Sequence, residues 1–459
     1  MLAKTYSPID NALVFEQPYA DQASISAALK KSRMAQRQWA EFSLVEKAHV
    51  CRKAIDYFID NKATIGQQIT QQMGRPIAYS PNEVNGLAER ANGMIDLATE
   101  ALADTVIEDN SHKRRLIRKH PLGTLLIIAP WNYPLLTTAN SVFAGLMAGN
   151  SIILKPSIQT PLVAEHFVNS FSAAGAPKDL IQALCLDHNQ TEQLLHQGDI
   201  DYCCFTGSVT AGKTVEKALA GRFKGLTLEL GGKDAAYVRA DADIEKAVRH
   251  LVDGAFFNSG QSCCGIERIY VAKPLFKPFV DAYVSEVYRY QMGNPLDPAV
   301  TLGPLVNAKA ADWVRQQNEQ AIKAGATACI DSQHFTPTND QGAYLTPQGL
   351  IDVNHSMNVM REESFGPTVG IMPVSNDNEA VQLMNDSQYG LTASLWSQDR
   401  RQVEQLGNRI EAGTIFMNRC DYLDPSLVWT GVKDTGKGAS LSTFGYQSLV
   451  QLKSFLLEN

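Results

Sequence analysis

Apolar residues recur at helical spacing over 21–39 and again over 44–72, where Gly74-Arg75-Pro76 ends the run, and a third amphipathic stretch covers 82–103. The period then changes. Residues 114–120 are basic and alternating, and 122–128 form an apolar run, as expected of a strand buried on both faces. Beyond it, strand-like and helix-like segments take turns: a strand at 151–154, a helix at 161–174, a strand at 202–206 and a helix at 211–220. A second alternating set follows Glu229, with helices at 245–256, 308–324 and 379–385. This alternation specifies an α/β fold with a mostly parallel sheet and a ligand at the carboxyl ends of its strands. At 459 residues the chain is longer than one hydrophobic core supports, so two or three domains are expected. No repeat, low-complexity tract or Gly/Ser linker separates them, which implies close packing between domains.

Composition narrows the function classes. A formal net charge of −7 provides no basic field for a polyanion, so no nucleic-acid partner is expected. The first residues lack the charged-then-apolar layout of a secretory signal and no apolar run is long enough to span a bilayer, so a cytoplasmic protein without a membrane partner is expected. The 8 cysteines form no CxxC pair and the 9 histidines no HxxxH or HExxH cluster, which leaves neither a disulfide framework nor a metal site. A small-molecule enzyme fits these bounds.

Two Gly-bordered segments carry the candidate chemistry: Leu228-Glu229-Leu230-Gly231-Gly232-Lys233 and Phe257-Asn258-Ser259-Gly260-Gln261-Ser262-Cys263. A thiol in such a turn can act as a covalent nucleophile, and a carboxylate flanked by leucines is partly desolvated, which raises its basicity. Taken alone, a free cysteine is most often an inert buried residue, and Cys264 competes with Cys263. Asn132, in Pro130-Trp131-Asn132-Tyr133-Pro134, is either a turn former or an amide aimed at a developing oxyanion. With Glu362-Glu363-Ser364-Phe365-Gly366-Pro367 downstream, these segments make the chain resemble the aldehyde dehydrogenase superfamily over nearly its whole length.

The resemblance implies an aldehyde dehydrogenase-like α/β fold. Residues 1–111 and 123–228 would form a Rossmann-like cofactor-binding domain, 229–430 an α/β catalytic domain, and 112–122 with 431–459 a small β oligomerisation arm. It implies an NAD(P)-dependent enzyme that oxidises a small-molecule aldehyde to a carboxylic acid, assembled as a homodimer or homotetramer. By the family pattern Gly-Gln-x-Cys, Cys263 is the nucleophile and Cys264 a bystander; Glu229 activates the hydrolytic water, and Asn132 with the Cys263 N–H forms the oxyanion hole. Pro130, Trp131, Lys155, Ser157, Gly207, Ser208, Leu230, Glu363 and Phe365 are the implied cofactor contacts. Ile158 stands where many NAD-preferring relatives carry a glutamate for the ribose 2′-hydroxyl. Its loss also removes a repulsion against a 2′-phosphate, so NADP, or use of both NAD and NADP, is favoured.

Two features point elsewhere or leave choices open. Gly207-Ser208-Val209-Thr210-Ala211-Gly212-Lys213-Thr214 matches the phosphate loop of nucleotide hydrolases, after a predicted strand and before a predicted helix. Against a P-loop hydrolase stand the absence of a convincing Mg²⁺-binding Asp strand and the overlap with Phe205-Thr206-Gly207-Ser208, a family-typical segment. The stretch before the C-terminal arm carries Val428-Trp429-Thr430-Gly431 where Pro-Phe-Gly-Gly is common in the family. Arg419 nearby is either a partner for the carboxylate of a semialdehyde such as succinate semialdehyde or a solvated arginine. A CoA-acylating variant is disfavoured by the intact Glu229, and a non-catalytic member by the full set of Asn132, Glu229 and Cys263.

Overall fold

The computed structural model describes residues 1–197, 200–335 and 342–458; the remainder of the expected domain spans lies outside these. Among the described residues two sheets carry the architecture. One has six strands in the order Gly436–Lys437, Gly225–Glu229, Tyr202–Thr206, Thr124–Ile128, Ser151–Lys155 and Ile181–Ala183. All are parallel except Gly436–Lys437, which lies antiparallel on the edge. The central strand Thr124–Ile128 is buried at every position, which explains its apolar run after Thr124, whose hydroxyl bonds Ser151. From this strand the chain winds outward through Ser151–Lys155 and then returns to pair Tyr202–Thr206 on the other side. Such a reversal opens a crevice at the strands' carboxyl ends. Buried clusters lie on both faces, one against the helices Leu44–Asp60, Asn82–Leu102 and Pro134–Met147, the other against Gln22–Ala40 and Val209–Leu219.

The second sheet has seven strands, ordered Thr327–Ala328, Gln348–Ile351, Thr368–Val374, Ile266–Ala272, Asp234–Val238, Thr392–Trp396 and Thr414–Met417, with only the first antiparallel. Leu391 immediately precedes a strand of this sheet, and Cys263 and Glu363 lie in the loops that lead into Ile266–Ala272 and Thr368–Val374. Its amino ends therefore face the carboxyl ends of the six-stranded sheet.

A third sheet pairs Val450–Glu458, Lys113–Pro121 and Thr105–Asp109, all antiparallel. Two pieces sit differently from the expected division. Strand Thr105–Asp109 belongs to this sheet and not to the cofactor unit, because a tight turn at 110–112 folds it onto Lys113–Pro121. Strand Gly436–Lys437, expected in the arm, belongs to the six-stranded sheet, since its backbone extends Gly225–Glu229. The helical run expected over 44–72 is two helices, Leu44–Asp60 and Lys62–Met73. Asn61 breaks it: its Nδ2 donates to the Tyr57 carbonyl at 2.8 Å, competing with the backbone ladder. An antiparallel hairpin, Leu2–Tyr6 with Leu13–Pro18, precedes the first helix without having been expected.

Candidate active site

The helix Ile244–Phe256, capped by the Asp243 carboxylate, runs into a tight turn at 257–260. Asn258 and Ser259 are left-handed there (φ 54° and 56°), followed by Gly260 at φ 73°. Such a conformation persists only where neighbours hold it. Arg75 Nε donates to Asn258 Oδ1 at 3.2 Å, and Ser259 Oγ donates to the Gly303 carbonyl at 2.8 Å. A side chain at 260 would strike the Gly366 carbonyl, so glycine there lets the turn pack against the 362–367 loop. The result is a fixed platform that ends in Cys263.

Cys263 lies where two cavities meet, one of about 270 Å³ and one of about 160 Å³, with Glu229 and Trp429 also shared between them. The neighbouring Cys264 is 3% exposed and its thiol donates to Asp421 Oδ1 at 2.9 Å. A hydrogen bond with Cys263, then burial and the Asp421 charge, push the Cys264 thiol well above the usual range. Cys264 is therefore held protonated, although it lines the smaller cavity, whereas Cys263 opens onto both cavities.

Asn132 is 4% exposed and lines the larger cavity. Its Nδ2 donates to the Gln261 carbonyl at 3.2 Å, while its own carbonyl accepts from Arg75 Nη2 and, at 3.3 Å, from Asn258 Nδ2. The guanidinium of Arg75 also pairs with the buried Glu83 and stacks 4.4 Å from the Tyr133 ring centroid. Glu83 in turn accepts from the N–H groups of Leu135 and Leu136, at the start of the helix Pro134–Met147. One buried ion pair thus ties together the Asn132 loop, that helix and the Cys263 turn.

Glu229, on the other side of Cys263, ends the strand Gly225–Glu229. Burial raises its pKa, while hydrogen bonds from Ser440 Oγ and from Thr206 Oγ1 (3.2 Å) act the other way. A partly buried carboxylate held by two hydroxyls beside a thiol can accept a proton from water or from the thiol. Sequence reasoning missed Thr206 and Ser440. Ser440 reaches the site because its backbone bridges Trp429 and the adjacent strand Gly436–Lys437 pairs with Gly225–Glu229.

The larger cavity brings together most of the expected cofactor contacts. Pro130 and Trp131 follow the central strand, Gly207 and Ser208 follow its neighbour, and Leu230 follows the next. Glu363 and Phe365 close it from the other sheet. The rings of Phe365 and Trp131 meet edge to face with centroids 5.6 Å apart. Burial raises the Glu363 carboxyl to about 8, and its Oε1 accepts from the Gly232 N–H at 3.0 Å. A side chain at Gly231 would collide with the Glu363 carboxyl, so that backbone approach requires glycine. The loop itself is pinned by Glu267, paired with the fully buried Lys233 and accepting from the N–H groups of Ser364 and Phe365.

A further cavity of about 390 Å³ adjoins this one through Ser208 and is lined by Lys155 at the end of its strand and by His188. Burial lowers the Lys155 pKa. Ser157 lines neither space; its hydroxyl accepts from the Gln159 N–H at 3.2 Å within its own turn. The two cavities run across the crevice between the strands' carboxyl ends and meet the start of the helix Val209–Leu219 at Ser208. Together with the Glu363 carboxyl and the Lys155 ammonium, this arrangement suits a dinucleotide.

The nucleotide-hydrolase alternative finds no support here. Val209–Leu219 is already helical across Val209, Thr210, Ala211 and Gly212, so no loop of N–H groups surrounds a phosphate. The Lys213 ammonium pairs with Asp434 on the surface at 2.8 Å. Arg419 is exposed, with its guanidinium 3.5 Å from the Tyr422 ring centroid, and lines neither cavity beside Cys263. The smaller cavity is instead lined by Asp421 and Leu423 of the segment before the C-terminal arm, by Phe257 of the cysteine segment, and by Arg90 and Asn140, which the sequence did not single out. A usable signal existed for Arg90, which falls three residues after Leu87 and four before Met94 on the buried stripe of the helix Asn82–Leu102. Unlike Glu83 on the same helix, which is paired with Arg75, this charge has no carboxylate within ion-pairing distance among the described residues.

Among the described residues no helix is long and apolar enough to cross a membrane, and no cluster of three His, Cys, Asp or Glu side chains could hold a metal ion. The model of the Aldehyde dehydrogenase family matches residues 2–455. An aldehyde dehydrogenase of Paenarthrobacter nicotinovorans is 30% identical over 433 residues, 93% of each chain. A succinate-semialdehyde dehydrogenase [NADP(+)] of Mycobacterium ulcerans is 30% identical over 434 residues, 94% of this chain and 93% of that one. The solved structure of succinic semialdehyde dehydrogenase from Streptococcus pyogenes in complex with NADP+ superposes with a TM-score of 0.94 at 26% identity, covering 99% of this chain and 100% of that one. With the cysteine platform, the reversed parallel sheet and the crevice already in place, the matches over almost the full length settle the relationship: this chain belongs to the aldehyde dehydrogenase family.

Proposed function

We propose that the protein oxidises a small aldehyde to the carboxylic acid by covalent catalysis at Cys263, with NAD or NADP as the oxidant. The observation that carries this reading is the position of Cys263 at the junction of two cavities, one suited to a dinucleotide and one to a small substrate. The Cys263 thiolate adds to the carbonyl carbon and forms a thiohemiacetal. The oxygen of that adduct takes on negative charge, and the Asn132 amide with the Cys263 N–H supplies the donors that stabilise it. NAD(P)+, when bound, supplies the hydride acceptor that turns this adduct into a thioester. Pro130, Trp131, Gly207, Ser208, Leu230, Glu363 and Phe365 would hold its nicotinamide half and Lys155 its adenosine half. Ile158 lacks a carboxylate for the 2′-hydroxyl, which favours NADP or use of both cofactors. Glu229 then takes a proton from water, which attacks the thioester and releases the acid and the free thiolate. The names of several relatives make a semialdehyde such as succinate semialdehyde the preferred substrate class.

The three-stranded sheet exposes Val106, Ile107, Leu452, Leu456 and Leu457. Apolar side chains gathered on so small a sheet support its role as the arm that joins a second copy in a homodimer or homotetramer. The function is tested by NAD(P)H absorbance with purified protein on aliphatic, aromatic and semialdehyde substrates beside Cys263→Ala. Turnover that depends on Cys263 supports the reading, and turnover that survives the substitution overturns it.

A further inference from the structure

Arg90 projects from the helix Asn82–Leu102 to the wall of the smaller cavity beside Cys263. Its Nη1 donates to the Leu136 carbonyl at 3.3 Å and to Asn140 Oδ1 at 3.2 Å, and Asn140 lines the same cavity. Both bonds use one nitrogen and both acceptors are neutral. Two carboxylates share the cavity wall, but each is engaged elsewhere. Asp421 accepts from Cys264 at 2.9 Å and from Ser262 at 3.5 Å, and Glu229 accepts from Ser440 and Thr206. Among the described residues no carboxylate lies within ion-pairing distance of Arg90, whereas Arg75, stacked on the cavity-lining Tyr133, pairs with Glu83. Burial lowers the Arg90 pKa and the nearby charges of Glu229 and Glu83 offset that only in part, so a ligand carboxylate bonded directly to the guanidinium would relieve the remaining cost. The guanidinium fork left over by the two neutral bonds is the geometry that takes a carboxylate in two parallel hydrogen bonds.

Resting on the aldehyde oxidation proposed above, we infer that Arg90 is the specificity-determining residue of this enzyme, binding the carboxylate of an aldehyde whose other end reaches Cys263. The rest of the wall fits such a substrate. Tyr133, Leu136, Phe257, Leu423 and Trp429 offer apolar surface for a short carbon chain, and a cavity of about 160 Å³ admits only a small one. The acid product would carry a carboxylate at each end. The exposed Arg419, which the sequence offered for this task, lies outside the cavity.

The test compares kcat and KM for succinate semialdehyde and for butanal, its neutral counterpart, in wild type, Arg90→Met and Arg90→Lys. The readout is the ratio of kcat/KM for the anionic over the neutral aldehyde, which is insensitive to a general loss of active protein. Charge-assisted bonds of this kind predict a ratio that falls about 100-fold in Arg90→Met, mostly through KM for the semialdehyde, and only about tenfold in Arg90→Lys. A second readout needs no turnover: succinate should raise the unfolding temperature of wild type more than that of Arg90→Met. A wild-type enzyme that does not discriminate, or a ratio unchanged in Arg90→Met, overturns the assignment of Arg90 alone. No NAD(P)H from any aldehyde with wild type overturns the activity beneath it.

Discussion

Asn132→Ala separates catalysis from folding more cleanly than any other single change at this site. In the free protein the side chain makes one hydrogen bond, the 3.2 Å donation to the Gln261 carbonyl, and that carbonyl also accepts from Asn258 Nδ2 at 3.2 Å. The bonds that fix the loop run through the Asn132 backbone carbonyl, which alanine retains. Truncation should therefore cost roughly 1 kcal/mol of stability, the net worth of a single neutral hydrogen bond. Losing one donor to a developing oxyanion costs about 10² to 10³ in rate, or about 3–4 kcal/mol of transition-state stabilisation. Single-turnover NAD(P)H formation should thus fall at least 100-fold, while the unfolding temperature drops by no more than about 4 °C. Arg75→Met should behave in the opposite way. It strands the buried Glu83 carboxylate and costs about 3–5 kcal/mol, so folding and activity fail together. An Asn132→Ala enzyme within threefold of wild type would refute the oxyanion assignment, and a collapse of its stability would refute the account of what holds the loop.

Three further outcomes follow from the geometry. Glu229→Gln should preserve a pre-steady-state burst of NAD(P)H and slow steady-state turnover, and in wild type the turnover should rise with pH as the raised Glu229 carboxyl ionises. Glu267→Ala leaves the Lys233 ammonium buried without its partner and the N–H groups of Ser364 and Phe365 without an acceptor, which should cost about 3–5 kcal/mol in denaturant titration; Lys233→Met combined with Glu267→Leu should recover much of it. Glu363 has a folded pKa of about 8 against an ordinary 4.5, so the folded state holds the extra proton between those values. Its stabilising effect is complete below about 4.5 and is lost as pH rises through about 8, so without cofactor Glu363→Gln should gain stability over wild type from pH 5 to pH 9 in thermal scans.

The sequence was most legible where local chemistry and the global fold agree. Asp21 caps the helix Gln22–Ala40 by accepting from the Ser24 N–H at 2.7 Å, and the central strand betrays its burial on both faces by being apolar at every position after Thr124. Boundaries set by single side chains were harder to read, as Asn61 shows by splitting a continuous apolar period through one hydrogen bond. Strands that owe their place to distant pairing left little trace: Gly436–Lys437 is two residues long and is defined by Gly225–Glu229, more than two hundred positions earlier. The same distance hid Ser440. Within the site, Pro130, Trp131, Asn132, Gly207, Ser208, Glu229, Leu230, Cys263, Glu363 and Phe365 converge on one cavity because they follow or precede strands of facing sheets. Ser157 stays outside it because its hydroxyl closes its own turn. Arg90 reaches the smaller cavity from a helix that the sequence pattern marked only as amphipathic.

The most direct test of the central claim is to trap the covalent intermediate. Glu229→Gln, mixed with NAD(P)+ and an isotopically labelled aldehyde and quenched in acid, should show by intact mass one acyl group per chain, localised by peptide mapping to Cys263. The adduct should be absent from the same protein carrying Cys263→Ser. Acylation at Cys264, or steady-state oxidation of aldehyde by Cys263→Ser, would contradict the account.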